Sequence, residues 1–404
     1  MKKKNLFLWS LYDFANSLIY INFILYFAQW LVIDGGLSDF WYNAIFAITT
    51  LMLLFSAPAL AAYTDRNGGR KFFLNFATAG TFVGYTLAAV VAYMGVDYVI
   101  LAALFFLVGQ YFYQLSFVFY NSMLQEVAEP SHRSRASGIG QFSNALGQVS
   151  GIAMTLPFAD SRLLPLVISI AVSIALSLPM MFFFKEERRR QKIANWIKEV
   201  GKDTKDFARR FKIFFATSAA IPMLLALFFF SDALVTLSNN FAIVVERVYG
   251  ESDTTKSLLL MAILTMSALG GLVSGFIGDK IGALNTLKLI LIGWIVMIPL
   301  MAVAPTFKIF AILSIPVGLL IGSAYAIARA YLSTVLSKEE MTYGFSYYTL
   351  LERFSTFVGP LSWGGILLVI GPEEIGYRVA VGTMALFMLI GLLILHFYRR
   401  RIHI

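Results

Sequence analysis

The sequence predicts an all-α membrane protein with twelve transmembrane helices arranged as two pseudo-symmetric six-helix bundles. Three observations predict it. Hydrophobic residues make up 59% of the 404 and charged residues only 14%, against roughly 45–50% and 25% in soluble domains. Turn residues and charge clusters divide the apolar sequence into twelve runs long enough to cross a bilayer. Lys and Arg concentrate in alternate loops.

The spans are placed at 6–33, 38–63, 71–94, 98–126, 134–157, 162–184, 218–247, 256–279, 284–304, 307–336, 342–369 and 375–398. Twelve spans of ~20–25 residues occupy about two-thirds of the chain. Only short loops remain, so an extra-membrane catalytic domain is excluded and no enzyme activity is expected. There is no cysteine, hence no disulfide, thiolate metal site or cysteine nucleophile. His132, His396 and His403 fall near span ends, away from carboxylates, so no metal or other cofactor is expected. Lys2-Lys3-Lys4 before an apolar run imitates a signal peptide. Asp13, Asn16 and Asn22 interrupt that run and no small-residue cleavage site follows, so it reads as a retained first span.

With the N-terminus inside, the cytoplasmic segments carry 25 of the 32 Lys and Arg and the outer segments 5, with Arg329 and Arg353 inside spans. Both termini are therefore expected to be cytoplasmic in a cell (inner) membrane. This asymmetry accounts for the net charge of +9 without nucleic acid. The only long loop, 185–217, separates an N-terminal bundle (1–184) from a C-terminal one (218–404). Ile193, Trp196, Ile197, Val200, Phe207, Phe211 and Phe214 recur there at near-helical spacing among basic residues. That pattern suits an amphipathic linker on the inner leaflet; a solvated tether is the alternative.

The halves echo one another. Tyr12-Asp13-Phe14-Ala15-Asn16-Ser17 in span 1 corresponds to Ser231-Asp232-Ala233 in span 7. Asp65-Arg66-Asn67-Gly68-Gly69-Arg70-Lys71 after span 2 corresponds to Gly275 through Gly282, around Asp279, after span 8. The offsets, 219 and 214 residues, nearly keep one register. A six-plus-six repeat in lipid is the plan of secondary transporters, whose site lies near the midplane.

At these residues the chain resembles the major facilitator superfamily. The segment around Asp65, Arg66, Arg70 and Lys71 is similar to the superfamily's loop Gly-x-x-x-Asp-Arg-x-Gly-Arg-Lys, with Ala61 in place of the leading glycine and an extra glycine in Gly68-Gly69. The resemblance implies that Asp65, Arg66, Arg70 and, in the weaker second copy, Asp279 are gating residues. Trp9 through Ser17 also resembles the opening of the vacuole-effluxer-like branch, which includes autophagy-related amino-acid exporters. Arg329, Tyr343-Gly344-Phe345 and Gly359-Pro360 match that branch in spans 10 and 11, although its glutamine and two serines before and after the arginine are absent. This implies export of amino acids or related metabolites.

Charges inside a span are costly and face a cavity or one another. Arg329 lies nine residues before Lys338, and Glu352 ten after Thr342. At ~1.5 Å per residue both sit roughly 14–15 Å from the inner surface, so an Arg329–Glu352 pair is expected, with Asp232 at similar depth as a competitor. Arg329 is the candidate for a substrate carboxylate; Glu352, Asp232 and Asp13 are candidates for proton coupling. A permanent lock that only fixes packing is the alternative. Asn16, Gln114, Asn121 and Asn144 are candidate substrate contacts in the first half, against a background of interhelical hydrogen bonding. Gly147, Gly151, Gly270, Gly271 and Gly275 are expected at close helix contacts, and Gly359-Pro360 to bend span 11. Phe182–Phe184 and Phe228–Phe230 are expected to face lipid.

The expectation is a secondary active transporter of a small polar or anionic organic solute, working by alternating access, proton-coupled and monomeric. An exporter of amphipathic compounds, and a non-transporting sensor or scramblase, are the alternatives.

Overall fold

The computed structural model describes residues 3–128, 133–186, 209, 212–216, 218–336 and 341–397; of these, 58, 62, 65–67, 125, 133–135, 137, 341–343, 345, 346 and 353 are described by backbone alone. The described residues are helical almost throughout: α1 Lys3–Asn22, α2 Asp39–Asn67, α3 Arg70–Met94, α4 Val99–Ser122, α5 Arg133–Thr155, α6 Leu164–Phe183, α7 Ile221–Tyr249, α8 Asp253–Ile281, α9 Ala283–Ala302, α10 Phe307–Val335, α11 Met341–Phe354, α12 Val358–Ile370 and α13 Glu374–Phe397. Among the described residues, ten stretches are long and apolar enough to cross a membrane. α5 is not among them because of its polar residues, and α11 and α12, with 14 and 13 residues, are too short.

α1 continues through two π-helical turns, Phe23–Phe27 and Trp30–Asp34. Its most apolar stretch is 89% buried, as expected of a helix that is hydrophobic all round. Gln29 donates to the Leu25 carbonyl at 2.5 Å between the two π turns, where such insertions serve functional side chains. The Gly68-Gly69 pair is explained by the turn from α2 to α3. Both residues have positive φ, 73° and 85°, which a side chain disfavours.

Span 11 departs from its expectation. Instead of one helix over 342–369, α11 and α12 are separated at Ser355–Phe357. Pro360 falls in the first turn of α12, where its missing N–H leaves no intrahelical hydrogen bond unmade. The linker 193–208 lies outside the described residues; 212–216 is helical. Of the phenylalanine runs, Phe182 and Phe183 are exposed, but Phe184 and Phe230 are buried. They pack inward because a helix turns ~100° per residue, so three consecutive side chains cannot share one face.

Packing divides the chain into two compact units. One comprises Met1–Ile21, Ile48–Gly151 and Leu166–Thr217; the other Asn22–Ala47, Ile152–Pro165 and Ser218–Ile404. Within the first, Gly147 meets the Phe14 backbone, where a Cβ would stand 2.3 Å from its carbonyl oxygen. Within the second, α8 and α10 touch backbone to backbone. A Cβ on Gly322 would lie 1.8 Å from the Ser267 carbonyl oxygen, and one on Gly270 2.0 Å from that of Leu319. Gly275 corrects the expectation of close contact: among the described residues, a Cβ there would meet no atom of another helix within 4 Å. Glycine-mediated approach of this kind replaces the hydrophobic drive that lipid removes. Gly322→Ala is expected to lower the melting temperature, at a cost of about 1–3 kcal/mol from overpacking. Gly275→Ala should leave it unchanged or raised; a thermal melt in detergent compares them.

Candidate functional site

In the second unit, three helices bring polar side chains together. Arg329 on α10 and Glu352 on α11 stand 3.9 Å apart (Nη2 to Oε2), with side chains 28% and 20% exposed. This is an ion pair too long for a hydrogen bond. Tyr348, one turn before Glu352, presents its ring 5.7 Å from the Arg329 guanidinium carbon. Tyr325, one turn before Arg329, accepts from Ser231 of α7 at 3.2 Å. The i to i+4 spacing puts each tyrosine on the same helix face as its charged neighbour. A guanidinium here, flanked by an aromatic face and loosely held by a carboxylate, can exchange that partner for another planar anion.

Asp232 does not compete for Arg329 in this arrangement. It is fully buried and turned to α12. Its Oδ2 accepts from the Gly359 N–H at 2.7 Å, and the amides of Phe357 and Val358 also bear on it. The break between α11 and α12 therefore leaves a helix N-terminus that a carboxylate satisfies.

The first unit holds a second polar cluster. Asp13 accepts from Tyr120 Oη at 2.9 Å and Asn144 Nδ2 at 3.0 Å. Gln148 donates to Asn144 at 2.7 Å, and Asn16 to Ser116 at 3.3 Å. Tyr120 is fixed by stacking on Trp9 at 4.4 Å, whose indole N–H reaches the Tyr120 carbonyl. Gln114 is buried and Asn121 half-buried. Asp13 and Asn144 thus belong to one hydrogen-bonded group in which neutral donors face the carboxylate, and Asn16 bonds Ser116.

At the start of α3, Arg70 is buried and pairs with Glu126 at 3.5 Å. The amides of Gly69, Arg70 and Lys71 donate to the Glu186 carboxylate at 2.9, 2.9 and 3.2 Å. Glu186 is thus the N-terminal cap of α3, a partner the sequence did not suggest. The side chains of Asp65, Arg66 and Arg353 lie outside the described residues. Asp279 is exposed and has no ion-pair partner among the described residues.

Sequence reasoning missed a further cluster in the second unit. Arg162 reaches Asp34 at 2.7 Å and Asp253 at 2.8 Å, and also binds Glu246. Burial alone would lower the Arg162 pKa, but the bonds from Glu246 and Asp253 outweigh it and hold the guanidinium above its ordinary value. Arg162 is the one non-glycine with positive φ among the described residues. Lys256, completely buried, sits 2.5 Å from Glu246 and 2.6 Å from Asp253 and donates to Gln29. The cluster borders an open depression of about 740 Å³ lined by Asp34, Arg162, Glu246, Arg247 and Asp253. The available signal was that these charges share the ends of spans on one predicted side. Below them Asn43 and Asn240 exchange two amide hydrogen bonds, at 3.0 and 2.9 Å, and Tyr42 donates to the Asn239 carbonyl at 2.8 Å.

Comparison with known proteins agrees across the chain. Residues 1–194 match the family described as sugar (and other) transporter, and 223–403 match the Major Facilitator Superfamily. The chain is 25% identical over 423 residues to the uncharacterized MFS-type transporter YxiO of Bacillus subtilis (strain 168), spanning 96% of this chain and 93% of that one. Among solved structures, a mutant of the nucleoside transporter NupG superposes with TM-score 0.73 at 12% identity, over 98% of this chain and 99% of NupG. A bacterial homolog of the human lysosomal transporter Spinster does so with TM-score 0.70 at 14% identity, over 99% and 98%. With its twelve-span helical fold and these full-length likenesses, the chain belongs to the major facilitator superfamily of membrane transporters.

Proposed function

We propose that this transporter is a secondary active carrier of a small polar or anionic organic solute, an amino acid or related metabolite, working by alternating access with proton coupling. The observation that carries the reading is the loose Arg329–Glu352 pair with Tyr348 over the guanidinium. A half-buried arginine is permanently charged and favours an anion beside it. Glu352 fills that need at 3.9 Å, a distance weak enough for a substrate carboxylate to displace it. The displaced carboxylate, without its cation in a poorly solvated site, takes a proton. Substrate binding and proton uptake are thereby linked.

Asp13, held by Tyr120 and Asn144, is the counterpart in the first unit. Asn16, Gln114, Asn121 and Asn144 there are the proposed neutral contacts to the solute, and Asp65, Arg66, Arg70 and Asp279 the proposed gating residues. The likeness of Trp9–Ser17 and Arg329 to the vacuole-effluxer-like branch supports an amino-acid-like solute. NupG, named for nucleosides, carries polar organic solutes on the same fold. In this reading the protein works in the cell membrane as a monomer with both termini inside.

Three measurements test this reading. Arg329→Ala should abolish binding of the anionic solute, seen as loss of ligand-induced thermal stabilisation; unchanged affinity leaves Arg329 a packing role. Glu352→Gln should reduce pH-driven uptake into liposomes at least tenfold while sparing counterflow; equal loss of both contradicts coupling through Glu352. Because the chain has no cysteine, single cysteines report topology cleanly. Gly36→Cys should react with an impermeant maleimide on intact cells and Asn67→Cys only after lysis; the reverse pattern inverts the orientation.

A further inference from the structure

The break between α11 and α12 leaves three free amides, those of Phe357, Val358 and Gly359; Pro360 removes the fourth donor of an ordinary helix start. All three bear on Asp232 of α7. The carboxylate is completely buried, yet its Oδ1 has no hydrogen-bond partner among the described residues. The buried Oγ1 of Thr236, one turn further along α7, is likewise unpartnered among them. Both oxygens converge on one point: a Cβ on Gly359 would lie 2.4 Å from Thr236 Oγ1 and 2.8 Å from Asp232 Oδ1. A helix start in lipid, capped by a carboxylate with one idle oxygen beside an idle hydroxyl, is more than packing requires.

We infer that Asp232 Oδ1 and Thr236 Oγ1 form a proton-binding site, and that its occupancy decides whether α12 stays docked on α7. The inference rests on the proton coupling proposed above and specifies a switch for it. When Asp232 is ionised, its charge complements the α12 N-terminus and its hydrogen bond to Gly359 is charge-assisted. When a proton adds to Oδ1, the carboxylate becomes a neutral acid whose new O–H can turn toward Thr236 Oγ1, to which Oδ1 is not hydrogen-bonded in the ionised arrangement, and the hold on the amides weakens. No other bond changes. Glu352 lies three residues before the break, and Ser355 donates to its carbonyl at 2.8 Å. Movement of α12 therefore reaches the Arg329 partner directly along the chain.

The titratable groups with described side chains on elements packed against α7 are Lys308, Tyr325, Arg329 and Tyr331 on α10, Tyr347, Tyr348 and Glu352 on α11, Tyr26 on the π turn after α1, and Asp39 and Tyr42 at the start of α2. α12 has none, and those of α8 and α13 lie within five residues of their ends. Glu352 is thus the competing explanation for any pH response.

The test uses the full chain in nanodiscs without substrate. Spin labels are placed at Val369→Cys on α12 and Leu272→Cys on α8, both exposed, and their separation is measured between pH 5 and 9. A shift on the order of 2–5 Å with pH is expected. Asp232→Asn should hold the acidic separation at every pH. Gly359→Ala should do the same with the carboxylate intact, because its methyl displaces α12 from both oxygens; it also serves if Asp232→Asn fails to fold. Glu352→Gln should keep the pH response. A pH-independent separation in the unmodified protein overturns the inference, as does a response that survives Asp232→Asn or Gly359→Ala, or one lost only in Glu352→Gln. The readout needs no transport, so absence of solute uptake would count against the proposed function alone.

Discussion

A charge or a free backbone amide inside a bilayer must find its partner within the protein, because the lipid offers none. Much of this molecule follows from that constraint. The Gly359-Pro360 pair opens a helix where continuous hydrogen bonding would otherwise be the rule, and the break is tolerated because Asp232 is there to receive the freed amides. The carboxylate in turn is tolerated because the amides are there to receive it. Neither feature is stable without the other.

The buried charges differ in how firmly they are held, and the difference separates fasteners from working parts. Lys256 is fully buried and within 2.5–2.6 Å of two carboxylates; together with Arg162 it joins the Trp30–Asp34 turn, the end of α7 and the start of α8 in one network. Such a cluster rigidifies because removing any one charge strands the others. Arg329 and Glu352 stand further apart and keep some exposure. A pair of that kind can change partners at smaller cost. Asp13 represents a third case, a carboxylate stabilised by the neutral donors of Tyr120 and Asn144.

Nearly all helix positions were legible, because a membrane span is long and its apolar signal has few alternatives. The predicted 307–336 and the observed Phe307–Val335 differ by a single residue. The Arg329–Glu352 pairing was also legible, since rise per residue sets two residues on adjacent antiparallel spans at matching heights. Side-chain direction was less legible. Phe230 and Phe184 lie inside although their runs look lipid-facing, and Gly275 touches nothing although Gly270 beside it touches backbone. Hydropathy records what a residue could face, and the packing of neighbouring helices decides what it does face.

The sequence by itself determined the class of molecule, the positions of nearly all its helices, the polar residues within its spans, and the Gly359-Pro360 pair that marks the interruption of span 11. These are local properties: length, transfer free energy and backbone chemistry act within one segment. Only the tertiary structure decided that Asp232 serves α12 instead of Arg329, that Glu186 caps α3, and that Arg162 and Lys256 share the same carboxylates. Asp232 and Gly359, Glu186 and Arg70, and Arg162 and its partners Glu246 and Asp253 are 84 to 127 residues apart, and charge attraction depends on distance in space, which spacing along the chain does not encode.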